Sequence, residues 1–124
     1  MARILVVEDD PDIRELVALR LRGHGHRTVA VASAPEALEG LDDRGPPDVA
    51  VLDVMLPGMN GLDLLREIRA RDGCTELPAV FLSARVQEHE VQAGRDLGAV
   101  YLTKPFVASA LLSAIERVLP EEGW

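Results

Sequence analysis

The sequence is short of several things, and each shortage excludes something. It has one cysteine, Cys74, so no internal disulfide can form, and no metal-ligand partner stands at a useful spacing from it. That usage fits a reducing cytoplasm, the expected location. Aromatic residues are 3% of the 124, against 48% hydrophobic, so the core has to be aliphatic. No apolar run approaches the roughly 18 residues that span a bilayer, and no secretory signal is visible, which predicts no membrane partner. Positive charge is scarce: 13 Lys and Arg face 21 Asp and Glu, a formal net charge of -8. Such a balance argues against direct nucleic-acid binding by this chain. Lysine is scarcest of all, because Lys104 is the only one and every other cation is an arginine.

What remains has a repeating grammar. Five short aliphatic runs, "ILVV" (4–7), "TVAVA" (28–32), "VAVL" (49–52), "AVFL" (79–82) and "VYLT" (100–103), alternate with stretches of helical spacing. The first helix is predicted from about Pro11 to Arg22, with Ile13, Leu16, Val17, Leu19 or Arg20, and Leu21 on its apolar face, and with Gly23 and Gly25 ending it. Later helices are predicted in "APEALEGL", "GLDLLREIRA", "QEHEVQAGRDL" and "ASALLSAIERVL". Gly94 weakens the fourth of these by roughly 1 kcal/mol relative to alanine. Strands this short and continuously apolar are expected to be buried on both faces. The fold class is therefore α/β, a doubly wound five-stranded parallel sheet with right-handed crossovers. A chain of this length suits one domain that buries about two thirds of its surface. The domain is expected over 1–119, with 120–124 a C-terminal tail or the start of a linker.

In such a sheet, ligands gather beyond the carboxyl ends of the strands. Those ends carry Glu8, Asp9 and Asp10 after the first strand, Asp53 after the third, Ser83 after the fourth, and Lys104 with Pro105 after the fifth. Asp10 followed by Pro11 and Asp12 reads as a helix N-cap. Glu8 and Asp9 are not needed for that cap, and alone they are unfavourable, since like charges about 4 Å apart near a surface repel by roughly 4 kcal/mol. Taken singly, Asp53 reads as a turn residue, Ser83 as a helix cap and Lys104 as a solvated cation. Taken together, three carboxylates and one ammonium leave a charge that a single Mg2+ would neutralise, and hard oxygen ligands suit that ion.

Four stretches, "ILVVEDDPDIREL", "DVAVLDVMLPGMNGLDLLREIR", "PAVFLSAR" and "GAVYLTKPF", resemble in order the signature blocks of the receiver domain of bacterial two-component response regulators. The resemblance implies a flavodoxin-like (βα)5 fold with strand order 2-1-3-4-5. It also implies that Asp53 accepts phosphate and that Glu8, Asp9, Asp53 and the backbone carbonyl of Met55 hold Mg2+. Ser83 would then hydrogen-bond the phosphoryl group, Lys104 would pair with its oxygens before a cis Lys104–Pro105 bond, and Tyr101 would be the switch aromatic. The implied partners are a sensor histidine kinase or phosphotransfer protein, and an output protein or attached effector domain. A phosphorylation-dependent homodimer is a further implied assembly. Such a protein is not an enzyme but a phosphoacceptor switch that assists its own phosphorylation and dephosphorylation. The chain is either a stand-alone regulator or the excised N-terminal receiver of a DNA-binding transcriptional regulator.

The chemistry is coherent on its own terms. A carboxylate is a weak nucleophile toward phosphorus, so positioning and charge neutralisation must carry the reaction. Competing readings fit less well. "EDDPD" repels phosphate where a nucleotide-binding loop would be glycine-rich, no GxxxxGK[ST] string occurs, and Met55 stands where an aspartyl-phosphate hydrolase resembling this pattern places a second aspartate. Departures from the receiver pattern lie near the end. Only Val100 separates Ala99 from Tyr101, and Ser109, Ala110, Ser113 and Ala114 stand where the winged-helix class carries charges. Leu111, Ile115 and Val118 are expected to face the core, leaving Ala110 and Ala114 on an outward, shallow face. With the fourth helix and fifth strand, that face is the expected output surface.

Overall fold

The computed structural model of the chain describes residues 2–84, 92 and 95–119. Its elements in chain order are β1 (Arg3–Val7), α1 (Pro11–Gly23), β2 (Arg27–Val31), α2 (Ala34–Arg44), β3 (Val49–Asp53), α3 (Gly61–Arg69), β4 (Ala79–Ser83), β5 (Val100–Thr103) and α4 (Ala108–Val118). The strands form one parallel sheet in the order β2-β1-β3-β4-β5, as expected. Most of the fourth predicted helix, Gly94 included, and the tail 120–124 lie outside the described residues, so α4 corresponds to the fifth predicted helix.

Side chains alternate across each strand, which gives the sheet two aliphatic layers. Leu5, Val7, Ala50, Leu52, Ala79 and Phe81 pack toward α2 and α3. Ile4, Val6, Val51, Val80 and Leu82 pack toward α1 and α4. Every residue of β3 and β4 is buried, whereas β2 and β5 are mostly half-buried. The expectation that all five strands are covered on both faces thus holds for the centre and fails at the margins. An edge strand has a hydrogen-bonded neighbour on one side only, which leaves its open side accessible.

Helix starts are chemically marked. The Asp10 carboxylate accepts from the backbone N–H groups of Asp12 and Ile13, with Pro11 at the first position of α1. Ser33 caps α2, and Asn60 caps α3 through the Asp63 N–H. Two helix faces differ from the sequence reading. Leu16 and Leu19 of α1 are 47% and 64% exposed, while Val17, Ala18 and Leu21 are buried. The covered stripe through Ile13, Val17 and Leu21 follows an i, i+4, i+8 row, and the two leucines lie off it. In α4, Ala114 is buried with Leu111 and Ile115, and Ala110 is half-buried. Residues 111, 114, 115 and 118 form one i, i+3, i+4, i+7 stripe on the sheet, so the predicted outward groove between Ala110 and Ala114 is absent.

Candidate functional site

The parallel strands deliver their last residues to one edge of the sheet. Asp53 ends β3, Ser83 ends β4, Glu8 follows β1 and Lys104 follows β5. Glu8, Asp53 and Ser83 are the buried polar side chains among the described residues, while Asp9 is exposed beside them. One carboxylate oxygen from each of Glu8, Asp9 and Asp53 lies within 4.8 Å of the others. Lys104 Nζ sits 2.5 Å from Glu8 Oε1 and donates to Asp53 Oδ2 at 3.1 Å. The acidic cluster inferred from "VVEDD" and Asp53 therefore exists, and the lone lysine is its counter-ion.

Backbone groups hold these side chains in place. The Met55 N–H donates to Asp53 Oδ1 at 3.0 Å, and the Asp10 N–H donates to Glu8 Oε2 at 3.3 Å. The Met55 side chain is exposed. The Lys104 N–H donates to the Ser83 carbonyl at 2.7 Å, tying the ends of β4 and β5 together, and the Lys104–Pro105 peptide is cis, as the resemblance implied. Tyr101 is half-buried, its ring centroid 5.8 Å from that of Phe81.

The electrostatics follow from burial and proximity. Burial and the adjacent Asp53 push the Glu8 carboxyl up to about 8, with Lys104 opposing. Burial acts to raise Asp53 as well, but hydrogen bonds from Glu8, the Met55 N–H and Lys104 outweigh it and bring Asp53 below the ordinary carboxylate value. Lys104 is held above its usual value, because Glu8 and Asp53 outweigh its own burial. Burial and the neighbouring like charge thus disfavour full ionisation of the Glu8–Asp53 pair, with Glu8 the weaker acid of the two.

One contributor, Arg14, was not read from the sequence as part of the site, and a second, Gly61, was read only as a turn residue beside the acceptor. Arg14 Nη1 donates to the carbonyls of Glu8 at 3.0 Å and Asp9 at 3.5 Å, pinning the acidic loop from α1. Gly61 opens α3 directly against Asp53: a Cβ there would lie 2.4 Å from the Asp53 carbonyl oxygen and 3.1 Å from Val54 Cα. Its spacing in "LPGMNG" signalled a turn, but the close approach to β3 depends on tertiary packing.

The family model of the response regulator receiver domain matches residues 4–116. The chain belongs to the response regulator receiver family. Receivers of this family are phosphorylation-dependent switches in two-component signalling, and this chain is such a domain. Among relatives, it is 37% identical over 124 residues to the sensory transduction protein RegX3 of Mycobacterium tuberculosis, covering 99% of this chain and 53% of that protein. It is 40% identical over 118 residues to the DNA-binding response regulator MtrA of Mycolicibacterium smegmatis, covering 94% of this chain and 50% of MtrA. The chain therefore spans about half the length of the curated relatives it matches. Among solved structures, the chemotaxis protein CheY4 of Vibrio cholerae superposes with a TM-score of 0.89 at 31% identity, covering 96% of this chain and 99% of CheY4. Among the described residues of the receiver, no helix is long and apolar enough to cross a membrane.

Proposed function

We propose that Asp53 is the phosphoacceptor of this receiver. The observation that carries the reading is the setting of its carboxylate, which is buried at the end of β3, 3.1 Å from the lone lysine and within 4.8 Å of Glu8 and Asp9. An Asp53 oxygen attacks phosphorus and forms a P–O bond. The bond from phosphorus to the donor breaks, and the leaving histidine nitrogen or acetate oxygen keeps the electron pair. Lys104 lies where a cation can bind the equatorial oxygens, and Ser83, at the end of the neighbouring strand, is positioned to donate its hydroxyl to the phosphoryl group.

Glu8, Asp9 and Asp53, with the Met55 carbonyl, form the set we assign to Mg2+. Their hard oxygen donors fit that ion, and three carboxylates within 4.8 Å of one another against one lysine leave negative charge that a cation would offset. When bound, Mg2+ supplies charge neutralisation on the phosphoryl oxygens. Phosphorylation exchanges one carboxylate charge for up to about two on the phosphoryl group. That change strengthens the pull on Lys104 and Ser83 and biases the position of Tyr101 on Phe81. We take the phosphodonor to be a sensor histidine kinase or a phosphotransfer protein, and the receiver of the switch to be an output protein or an effector domain. The name of MtrA and the lengths of RegX3 and MtrA favour a DNA-binding effector in a longer protein, whereas the near-complete overlap with CheY4 favours a stand-alone regulator.

Intact-mass spectrometry after treatment with acetyl phosphate and Mg2+ tests the assignment. One added phosphoryl group is expected in the wild-type chain, and none in Asp53→Asn. Modification that persists in Asp53→Asn places the acceptor elsewhere.

A further inference from the structure

Between α2 and strands β1 and β2 lies a partly open cavity of about 490 Å3. This lies within the range of about 300–1,000 Å3 usual for small-molecule pockets. Leu5, Val29, Val31 and Leu41 supply an aliphatic lining. No aromatic ring borders it, so nothing there would stack on a planar ligand.

Three exposed arginines, Arg3, Arg27 and Arg44, also line the cavity, together with the single carboxylate of Glu36, so cationic groups outnumber it three to one. Arg3 and Arg27 are direct register partners on neighbouring strands and share the face that α2 covers. Like charges placed opposite each other across a sheet are destabilising. Although the chain carries 21 acidic residues, none of the three arginines is in an ion pair among the described residues. Asp48 accepts from the Arg3 backbone N–H at 2.7 Å, and Glu36 of the lining accepts from the Ala32 N–H at 3.3 Å. Arg3 Nη2 donates to the Arg44 carbonyl at 3.1 Å, which draws its guanidinium to the end of α2.

Gly40 adds an independent observation. It sits in the interior of α2 and lines the cavity, yet a Cβ there would meet nothing within 4 Å. A glycine in a helix interior costs about 1 kcal/mol relative to alanine, and here no close approach requires it. Its effect is to leave the cavity open.

We propose that this cavity binds a medium-chain aliphatic carboxylate, its tail on the leucine and valine lining and its head on the arginines. A carboxylate matches the guanidinium fork in a bidentate manner and relieves the Arg3–Arg27 opposition. The cavity is separate from the Asp53 cluster, although Val31 of its lining accepts the Glu8 N–H at 3.1 Å, and the proposal does not depend on the phosphoacceptor assignment.

Amide chemical-shift titration of the whole chain with sodium octanoate tests the proposal. Saturable shifts are expected at Leu5, Arg27, Val29 and Leu41, with none from acetate and weaker binding of 1-octanol. Arg27→Gln and Arg44→Gln should each weaken octanoate about tenfold. Gly40→Leu should abolish the shifts while circular dichroism shows an intact fold, and Asp53→Asn should bind octanoate as wild type does. Absence of saturable shifts, equal affinity for octanoate and 1-octanol, or wild-type affinity in both arginine variants would overturn the proposal.

Discussion

Gly61→Ala should destabilise this receiver, although the same substitution within a helix ordinarily stabilises. The new Cβ would lie 2.4 Å from the Asp53 carbonyl oxygen, 3.0 Å from its carbonyl carbon and 3.1 Å from Val54 Cα. All three atoms are backbone, so no side chain can rotate out of the way, and the start of α3 has to withdraw by about 1 Å to reach ordinary contact. Withdrawal stretches the Gly61 N–H···O=C Val54 hydrogen bond, now 2.9 Å. Overpacking of this kind costs about 1–3 kcal/mol, against at most about 1 kcal/mol regained from helix propensity at this terminal position. Urea unfolding should therefore show a net loss of about 1–2 kcal/mol, and thermal melting a midpoint lower by several degrees. Because the clash falls on the backbone of Asp53, the proposed phosphoacceptor, phosphorylation by acetyl phosphate should slow by about tenfold or more. Gly40→Ala is the matched control: its Cβ meets nothing within 4 Å, so it should stabilise by about 0.5–1 kcal/mol and leave the phosphorylation rate unchanged. A Gly61→Ala protein as stable as wild type and phosphorylated at the same rate would refute the close-packing argument.

Three other perturbations probe the charges and the frame. Because burial and Asp53 push Glu8 up to about 8, Mg2+ at the site proposed above would have to displace a proton below that pH. Its affinity by calorimetry should rise by about tenfold per unit between pH 6 and 8 and level off above, while Glu8→Gln should show no such slope. His26 Nδ1 accepts the Ala2 N–H at 3.1 Å, and burial lowers the His26 imidazole below its ordinary 6.5. The unfolded chain therefore binds this proton first, and the resulting stability is complete above about pH 6.5 and lost as pH falls below it. A His26→Asn variant should lack that part of the acid slope in urea midpoints. Arg69 donates to the Leu77 carbonyl from Nε at 3.2 Å and Nη2 at 2.8 Å, and to the Leu97 carbonyl from Nη1 at 2.6 Å. Arg69→Met should cost about 2–3 kcal/mol in urea unfolding, since it leaves half-buried carbonyls unpaired; a loss under about 0.5 kcal/mol would show that water replaces the guanidinium.

Much of the receiver was legible in the order of its residues, because the signals involved are local. A run of four or five aliphatic residues followed by a cap and a helical repeat describes itself, and "VVEDDPD" encodes both the end of β1 and the Asp10 cap of α1. The alternation of such units requires a parallel sheet, and a parallel sheet sends Glu8, Asp53, Ser83 and Lys104 to one edge whatever the details of packing. The lone lysine among acidic strand ends pointed to its own partner for the same reason.

What the order of residues could not supply depends on segments far apart in the chain meeting at particular distances. Leu16, Leu19 and Ala114 are chemically able to lie on either side of their helices, and only the seating of α1 and α4 on the sheet decides which side is covered. Half-burial of β2 and β5 follows from their place at the edges of the sheet. The need for glycine at Gly61 arises from an approach between α3 and the backbone of β3, and the guanidinium of Arg69 finds its carbonyls 8 and 28 residues away. The opposition of Arg3 and Arg27 likewise exists only in the register of β1 against β2. Composition and periodicity determined the elements and the chemistry at their ends. Register and packing, which join residues through space, decided which faces are buried, which charges meet and which cavity stays open.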